Sequence, residues 1–273
     1  MPENRKEHEG RYLYCVTNSK KEINLGKIGL EENQVYTIAS SSRNLCAVVH
    51  PCSPEPYESD DEEEVKRWVE AHQNVLDRVM EDQKFSGIIP AGFDTIIQAR
   101  NGCTARENVK SWLKEESASL MKQLQKVKNK EEYGVQVTYD PDWLEDKLPK
   151  NREEINSLQE KIDSKPEGAA YLYREKLEKL LKEKREEKKD RFVSELIDTI
   201  ETTVGKVKRE DNRERPGERK TLLNLSCLVD EGEYEELGTV LEDIDDREGF
   251  SVRFTGPWAP FSFTELNNTE NEN

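Results

Sequence analysis

Ten consecutive charged residues occupy positions 182–191, inside a stretch whose flanks have the apolar spacing of a helix. A helix distributes a ten-residue run around its whole circumference, so no face of this run can enter an apolar core. The chain must therefore either extend a helix into solvent here or turn close to the run. Over residues 174–191, nine basic residues alternate with six acidic ones, which is typical of a solvated, ion-paired helix surface; a docking surface for a charged partner is the alternative.

The flanks of this run predict one long helix over residues 169–204. The spacing is not a sustained heptad repeat, so a long coiled coil is not expected. After the charged run, apolar residues recur at three- and four-residue intervals, namely Phe192, Val193, Leu196, Ile197, Ile200 and Val204.

Composition limits the size of any core. Apolar residues make up 33% of the chain and charged residues 37%, so we expect a folded protein with modest cores and long solvated helices. The net charge is −16, and residues 58–64 hold six acids in seven positions. This balance opposes general nucleic-acid binding, which needs basic faces. The acidity is interpreted as a solubility device, with an acidic surface for a basic partner as the alternative.

The cysteine and hydropathy patterns indicate a reduced, soluble protein. The five cysteines form no CxxC pair, and an odd number does not suit a secreted disulfide framework. Cys15, Cys46 and Cys227 lie in strand-like runs, where small buried side chains are expected. The N-terminal residues have no apolar segment of a signal peptide, and no run approaches a membrane span. We therefore expect a cytoplasmic protein with no membrane partner.

The first part of the chain alternates strand and helix patterns. Residues 11–16, 35–40 and 45–50 are rich in β-branched and aromatic residues, which predicts strands. Ser59 and Glu62 have the spacing of a capping box before an amphipathic helix, and His72 on its apolar side is expected to be packed and hydrogen-bonded. Residues 85–98 predict a strand, a break and a short strand or turn, and Thr104 with Glu107 begins another capped helix.

A second unit begins at about residue 133. Residues 133–140 alternate as a strand does, and Asp140-Pro141 has the form of a helix entry. A short helix, the long helix, a strand at 221–229, an amphipathic helix from 234 and a strand at 250–256 follow. This order predicts an α+β layer, preferably a ferredoxin-like unit with one strand poorly visible and extra helices inserted.

The search for chemistry finds no catalytic motif. The chain lacks a Walker loop, GxSxG, HExxH and the zinc deaminase pattern. Cys46, His50 and Cys52 share strand parity, but Pro51 interrupts the strand and no fourth ligand is evident. We therefore expect no metal, no cofactor and no enzymatic activity.

The densest aromatic cluster lies near the end of the chain. The segment VRFTGPWAPFSFTEL, residues 252–266, holds Phe254, Trp258, Phe261 and Phe263. Gly256-Pro257 is expected to end the last strand, because proline cannot donate to a ladder. Trp258, Phe261 and Phe263 then either cover a groove between sheet and helices or remain exposed and bind a partner. They are the candidate partner-binding residues.

Four segments together resemble the gas vesicle accessory proteins of the GvpF/GvpL family. The opening GRYLYCV is similar to that family's first strand, and the closing Gly-Pro-Trp-x-Pro-aromatic-Ser-Phe pattern resembles its terminal motif. IIPAGFDTII and GAAYLYREKLEKLL resemble its middle segment and a helix entry, in the family's order across residues 10–266. The family often has Phe-Gly where this chain has Phe93-Asp94.

The resemblance implies two α+β domains, the second a modified ferredoxin-like sheet with a helical extension. We place the N-terminal domain at 1–131 and the C-terminal domain at 132–266, with a helical insertion at about 141–207 and a disordered tail at 267–273. It also implies a non-enzymatic role in building gas vesicles, the buoyancy compartments of microbes, with the gas vesicle shell protein and other accessory proteins as partners. It supplies no catalytic residues.

Overall fold

The computed structural model describes residues 9–19, 21–40, 44–148, 153–211, 219–230 and 232–266. The tail expected at 267–273 lies outside these residues. The chain divides into two compact units, one formed by the described parts of Met1–Glu132 and Pro257–Asn273, the other by those of Tyr133–Gly256. Residues 257–266, which the sequence analysis assigned to the C-terminal domain, therefore pack with the first unit.

The first unit is built around one buried strand. Its strands are β1 (Gly10–Thr17), β2 (Asn24–Lys27), β3 (Gln34–Ala39), β4 (Cys46–Cys52), β5 (Ile88–Pro90) and β6 (Ile96–Gln98). The central strand β1 pairs antiparallel with β4, β5 and β6, and the sheet has the order β2-β3-β4-β1-β5. A register shift between Leu13 and Cys15 marks a bulge in β1.

Helices cover both faces of this sheet. They are α1 (Glu62–Glu81), α2 (Ala105–Glu115) and α3 (Ser117–Lys126). Tyr12 and Tyr14 of β1 pack in one apolar cluster with the buried face of α1. Leu13 and Val16 belong to a second cluster with side chains of α2 and α3. The alternation of a strand thus gives β1 two cores.

Helix caps follow the sequence in one case and not in another. The capping box of Thr104 and Glu107 is present at α2, as expected. At α1 the predicted capping box of Ser59 and Glu62 is wrong. The cap is Asp61, which accepts a hydrogen bond from the Glu63 backbone, while Ser59 donates to Glu64. Several residues of this acidic run can cap a helix, and in the folded chain Asp61 does so.

The second unit has a four-stranded sheet of order β10-β7-β9-β8. In chain order it consists of a strand, three helices, a strand pair, a helix and a last strand. The elements are β7 (Lys130–Tyr139), α4 (Pro141–Asp146), α5 (Glu153–Ser164), α6 (Glu167–Val204), β8 (Val207–Arg209), β9 (Lys220–Asp230), α7 (Tyr234–Asp245) and β10 (Phe250–Trp258). The predicted Asp140 cap and Pro141 at the first turn of α4 are confirmed.

The charged run 182–191 lies within a continuous 38-residue helix, α6. Its C-terminal part contributes Val193, Leu196, Ile200 and Val204 to the core of the second unit. Within the charged run, ion pairs connect neighbouring turns, as between Lys184 and Glu187. The helix ends at Gly205, which adopts the left-handed conformation with φ 69°.

The last strand does not end where it was expected to end. β10 continues through Gly256 and Pro257 to Trp258. β10 is at the edge of its sheet, the position at which strands tolerate proline. Gly256 has φ 126°, a conformation that L side chains rarely adopt.

Candidate interaction surface

Two of the three predicted partner-binding rings are exposed. Trp258 and Phe261 are each 44% exposed, large fractions for such side chains, whereas Phe263 is 8% exposed and buried. Ala259, between them, is fully buried and joins the apolar cluster under α1. We call Trp258 and Phe261 the aromatic surface. The segment is thus anchored by its buried residues, while Trp258 and Phe261 face solvent.

A short 3-10 turn at Phe261–Phe263 presents the second exposed ring. The Phe263 N–H donates to the Pro260 carbonyl at 3.2 Å, and the Thr264 hydroxyl donates to the same oxygen at 2.8 Å. The Phe261 N–H donates to Ala259 at 2.7 Å. These bonds are all local, so other parts of the first unit must hold the turn in place.

Three side chains from α3 and the start of β7 hold this turn. Glu132 accepts hydrogen bonds from the N–H of Ser262 at 2.8 Å and from its hydroxyl at 2.7 Å. The Gln123 amide donates to the Glu265 carbonyl at 2.8 Å and accepts from the Glu265 N–H at 2.7 Å. Lys126 donates to the Phe263 carbonyl at 2.7 Å. No sequence pattern indicated these contacts.

A buried network of tyrosines and histidines lies in the same unit, under α1. Tyr12 accepts from the Asp94 N–H at 3.0 Å and bonds His72 Nδ1 at 2.8 Å. Which of the two groups donates in the Tyr12–His72 bond depends on the histidine tautomer. The expectation of a packed, hydrogen-bonded His72 is confirmed.

The second half of the network joins Tyr14, His50 and Tyr57. Tyr14 accepts from the Leu30 N–H at 3.0 Å and is hydrogen-bonded to His50 Nδ1 at 2.8 Å. The other ring nitrogen of His50 is hydrogen-bonded to the Tyr57 hydroxyl at 3.1 Å. His50 is fully buried and stacks on Tyr12 with ring centroids 5.0 Å apart. With both nitrogens engaged, His50 packs as a neutral side chain.

Burial sets the charge of this network. It lowers the pKa of His50 to about 4, and the nearby Arg11 charge acts in the same direction. Burial likewise lowers the pKa of His72 to about 4, with a small opposing effect from the Ala91 backbone. The same burial raises the pKa of Tyr12 and Tyr14 far above 10.0. At neutral pH these side chains are uncharged, as an apolar core requires.

The network holds one turn in an uncommon conformation. Asp94 has φ 64°, in the left-handed region that aspartate tolerates better than most residues. Tyr12 accepts its N–H, and its carboxylate accepts the Tyr57 N–H at 3.0 Å. This explains in physical terms how Asp94 occupies a position where glycine would serve.

Another exposed apolar pair lies on α6. Tyr171 is 55% and Leu172 58% exposed, near the turn that joins α5 to α6. The helix α5 has no buried residue and packs on α6 through half-buried side chains. The helix α5 therefore contributes no side chain to the apolar core of the second unit.

The described residues contain no grouping of three or more His, Cys, Asp or Glu side chains arranged to hold a metal ion. Of the three residues considered from the sequence, His50 is engaged by two tyrosines and Cys46 is buried. Within the same residues, no helix is long and apolar enough to cross a membrane.

Comparison with known proteins gives one consistent family. The model of the family described as "Gas vesicle synthesis protein GvpL/GvpF" matches residues 10–265. Gas vesicle protein L1 of Halobacterium salinarum is 27% identical over 269 residues, covering 96% of this chain and 92% of the relative. Gas vesicle protein L of Haloferax mediterranei is 26% identical over 299 residues, covering 96% and 90%.

Solved structures have the same fold. The crystal structure of the gas vesicle protein GvpF from Anabaena sp. PCC7120 superposes with a TM-score of 0.75 at 17% identity, covering 95% of this chain and 99% of that one. GvpF from Microcystis aeruginosa gives a TM-score of 0.63 at 16% identity, covering 94% and 99%. With the family model matched along nearly the whole chain, this α+β protein belongs to the GvpL/GvpF family of gas vesicle proteins.

Proposed function

We propose that this protein is a non-enzymatic assembly factor that binds the hydrophobic shell protein, and other accessory proteins, during nucleation or growth of the gas vesicle. The observation that carries the proposal is the aromatic surface, two large rings that are each 44% exposed, one at the end of β10 and the other on the 3-10 turn that follows. Family membership supports a gas vesicle role. We place the protein at the vesicle or at its assembly intermediates.

A shell subunit with exposed apolar surface aggregates before it is incorporated into the wall, because this surface associates with that of other copies. A binder needs a small apolar contact area on a body that does not itself aggregate. The chain has a net charge of −16, which repels other copies, while Trp258 and Phe261 provide large, rigid apolar side chains.

The test compares exposed with buried rings. In a pull-down with the shell protein, the Trp258→Ala, Phe261→Ala double variant is expected to lose binding while its melting temperature stays close to that of the wild type. The matched control is Val69→Ala, which truncates another exposed apolar residue of the same unit, 47% exposed, and is expected to retain binding. Unchanged binding by the double variant, or no association of the wild type with or without other accessory proteins, would count against the proposal.

A second candidate function is an interaction hub, or minor structural component of the vesicle, that does not handle shell subunits. The exposed Tyr171 and Leu172 favour it, because they lie near the turn that joins α6 to α5, a helix with no buried residue. The Tyr171→Ser, Leu172→Ser variant separates the two functions. Loss of accessory-protein contacts with shell binding intact would favour the hub, and the reverse pattern would favour the assembly factor.

We also propose that the second unit is a modified ferredoxin-like domain. The support is its strand order in the sheet, β10-β7-β9-β8. In chain order, helices lie between β7 and β8 and between β9 and β10. The helices α4 to α6 are then the insertion into this unit.

A further inference from the structure

We propose that Glu132 is the positioning residue of the aromatic surface, assisted by Gln123 and Lys126. The inference rests on the proposed function, since it assigns a role in presenting the rings that bind the shell protein. The three side chains bond to the segment that carries Phe261, and none of them is one of the exposed rings.

The carboxylate of Glu132 is buried, with 7% of the residue exposed. Both of its oxygens accept from Ser262, one from the backbone N–H and the other from the hydroxyl. A carboxylate in such a position is costly unless its oxygens are hydrogen-bonded. The folded state therefore favours the one conformation of the 3-10 turn that brings Ser262 to Glu132.

The residues from α3 fix the other end of the turn. Gln123 forms a reciprocal pair with the backbone of Glu265, in the manner of a strand partner. Lys126 binds the Phe263 carbonyl and lies over the Phe263 ring, with Nζ 5.7 Å from the ring centroid. Together with Glu132 they bond to three residues of a four-residue stretch, 262–265, from outside it.

The consequence is preorganisation. The backbone hydrogen bonds that the structure describes within 259–264 close local turns, and a short turn alone does not keep an exposed ring in one place. A ring that is already held loses less conformational entropy when it binds, which increases affinity without adding a contact. Glu132 thus acts through Ser262 on Phe261 and does not itself touch the partner.

The experiment uses the full chain and three variants. Glu132→Leu removes both hydrogen bonds, Ser262→Ala removes one, and Glu132→Gln retains both, because an amide can accept the N–H and donate to the hydroxyl oxygen. Glu265→Gln is the control, since it changes a charge in the same segment while leaving its backbone contacts in place. Hydrogen exchange at the Ser262 amide, melting temperature and shell-protein affinity are measured for each.

We expect Glu132→Leu to lose protection of the Ser262 amide and to bind the shell protein about tenfold more weakly, the equivalent of one to two hydrogen bonds. Ser262→Ala is expected to weaken binding by a few fold, and Glu132→Gln to behave like the wild type. Equal affinity and equal protection in Glu132→Leu would overturn the inference. If that variant does not fold, wild-type affinity in Ser262→Ala would overturn it instead.

Shell-protein binding by the wild type and hydrogen exchange at the Ser262 amide test the proposed function and this inference separately. If the wild type does not bind the shell protein, the proposed function fails. The role of Glu132 in holding the turn is then still decided by exchange at the Ser262 amide. Loss of protection in Glu132→Leu supports it, and unchanged protection refutes it.

Discussion

Acidification is expected to destabilise the first unit through His50 and His72. Both are neutral in the folded protein, with pKa values lowered to about 4 from 6.5. The unfolded chain binds a proton on each histidine below about pH 6.5, and the folded protein does so only below about pH 4. Stability is therefore complete above the unfolded pKa, falls as the pH drops through this window, and levels off below the folded pKa.

The magnitude follows from the two pKa values. For each histidine, the full difference in pKa contributes about 3 kcal/mol to the free energy of unfolding. Roughly 2 kcal/mol of that contribution is lost by about pH 5.

The assay is urea denaturation at a series of pH values, for the wild type and for His72→Gln. Exchange of the β1 amides reports on the first unit. All other titratable groups are the same in both proteins, so their effects cancel in the difference. The stability advantage of the wild type is expected to shrink by roughly 2 kcal/mol between about pH 7.5 and about pH 5.

A constant difference across that pH range would refute the reasoning, since it would mean that His72 titrates alike in the folded and unfolded chains. His50→Gln provides an independent repetition, because a glutamine there can serve both Tyr14 and Tyr57.

Three further expectations concern stability, each measured by urea denaturation. Phe263→Ala is expected to cost about 3 kcal/mol because it empties a buried site, whereas Phe261→Ala, at an exposed ring, should change stability by less than about 0.5 kcal/mol; equal costs would contradict the assignment. Thr104→Ala removes the capping box of α2 and should cost about 1 kcal/mol, and no loss would mean that the cap contributes nothing. Gly249→Ala would place a Cβ 2.1 Å from the Trp143 ring at φ 87°, so a loss of about 3 kcal/mol or more is expected; a stable variant would show that Trp143 can move aside.

Local patterns predicted most of the fold. Helical and strand periods identified the main elements, and the box at Thr104 and Glu107 was visible because its residues are three positions apart. The short strand β8 (Val207–Arg209) was missed, because two of its three residues are exposed bases and resemble a loop. At α1, six acids in seven positions offered several equivalent caps, and only the folded chain selects Asp61.

The candidate site was predictable only in part. The aromatic residues stood out by composition, but their separation into exposed Trp258 and Phe261 and buried Phe263 depends on a turn held from elsewhere. Glu132 and Ser262 are 130 positions apart, and neither belongs to a motif. In the buried network, His72 and Tyr12 lie 60 positions apart, and a sequence that contains many tyrosines and acids does not indicate which ones meet.

The interrupted first unit has a consequence for protein synthesis. Its sheet and helices are translated before residue 133, but Ala259, which is fully buried in its apolar cluster, follows only after the whole of Tyr133–Gly256 has been made. At ordinary translation rates the gap is on the order of ten seconds. During that time the ribosome-bound chain exposes the apolar surface that Ala259 and Phe263 will cover. The first unit to be translated is thus the last to be completed.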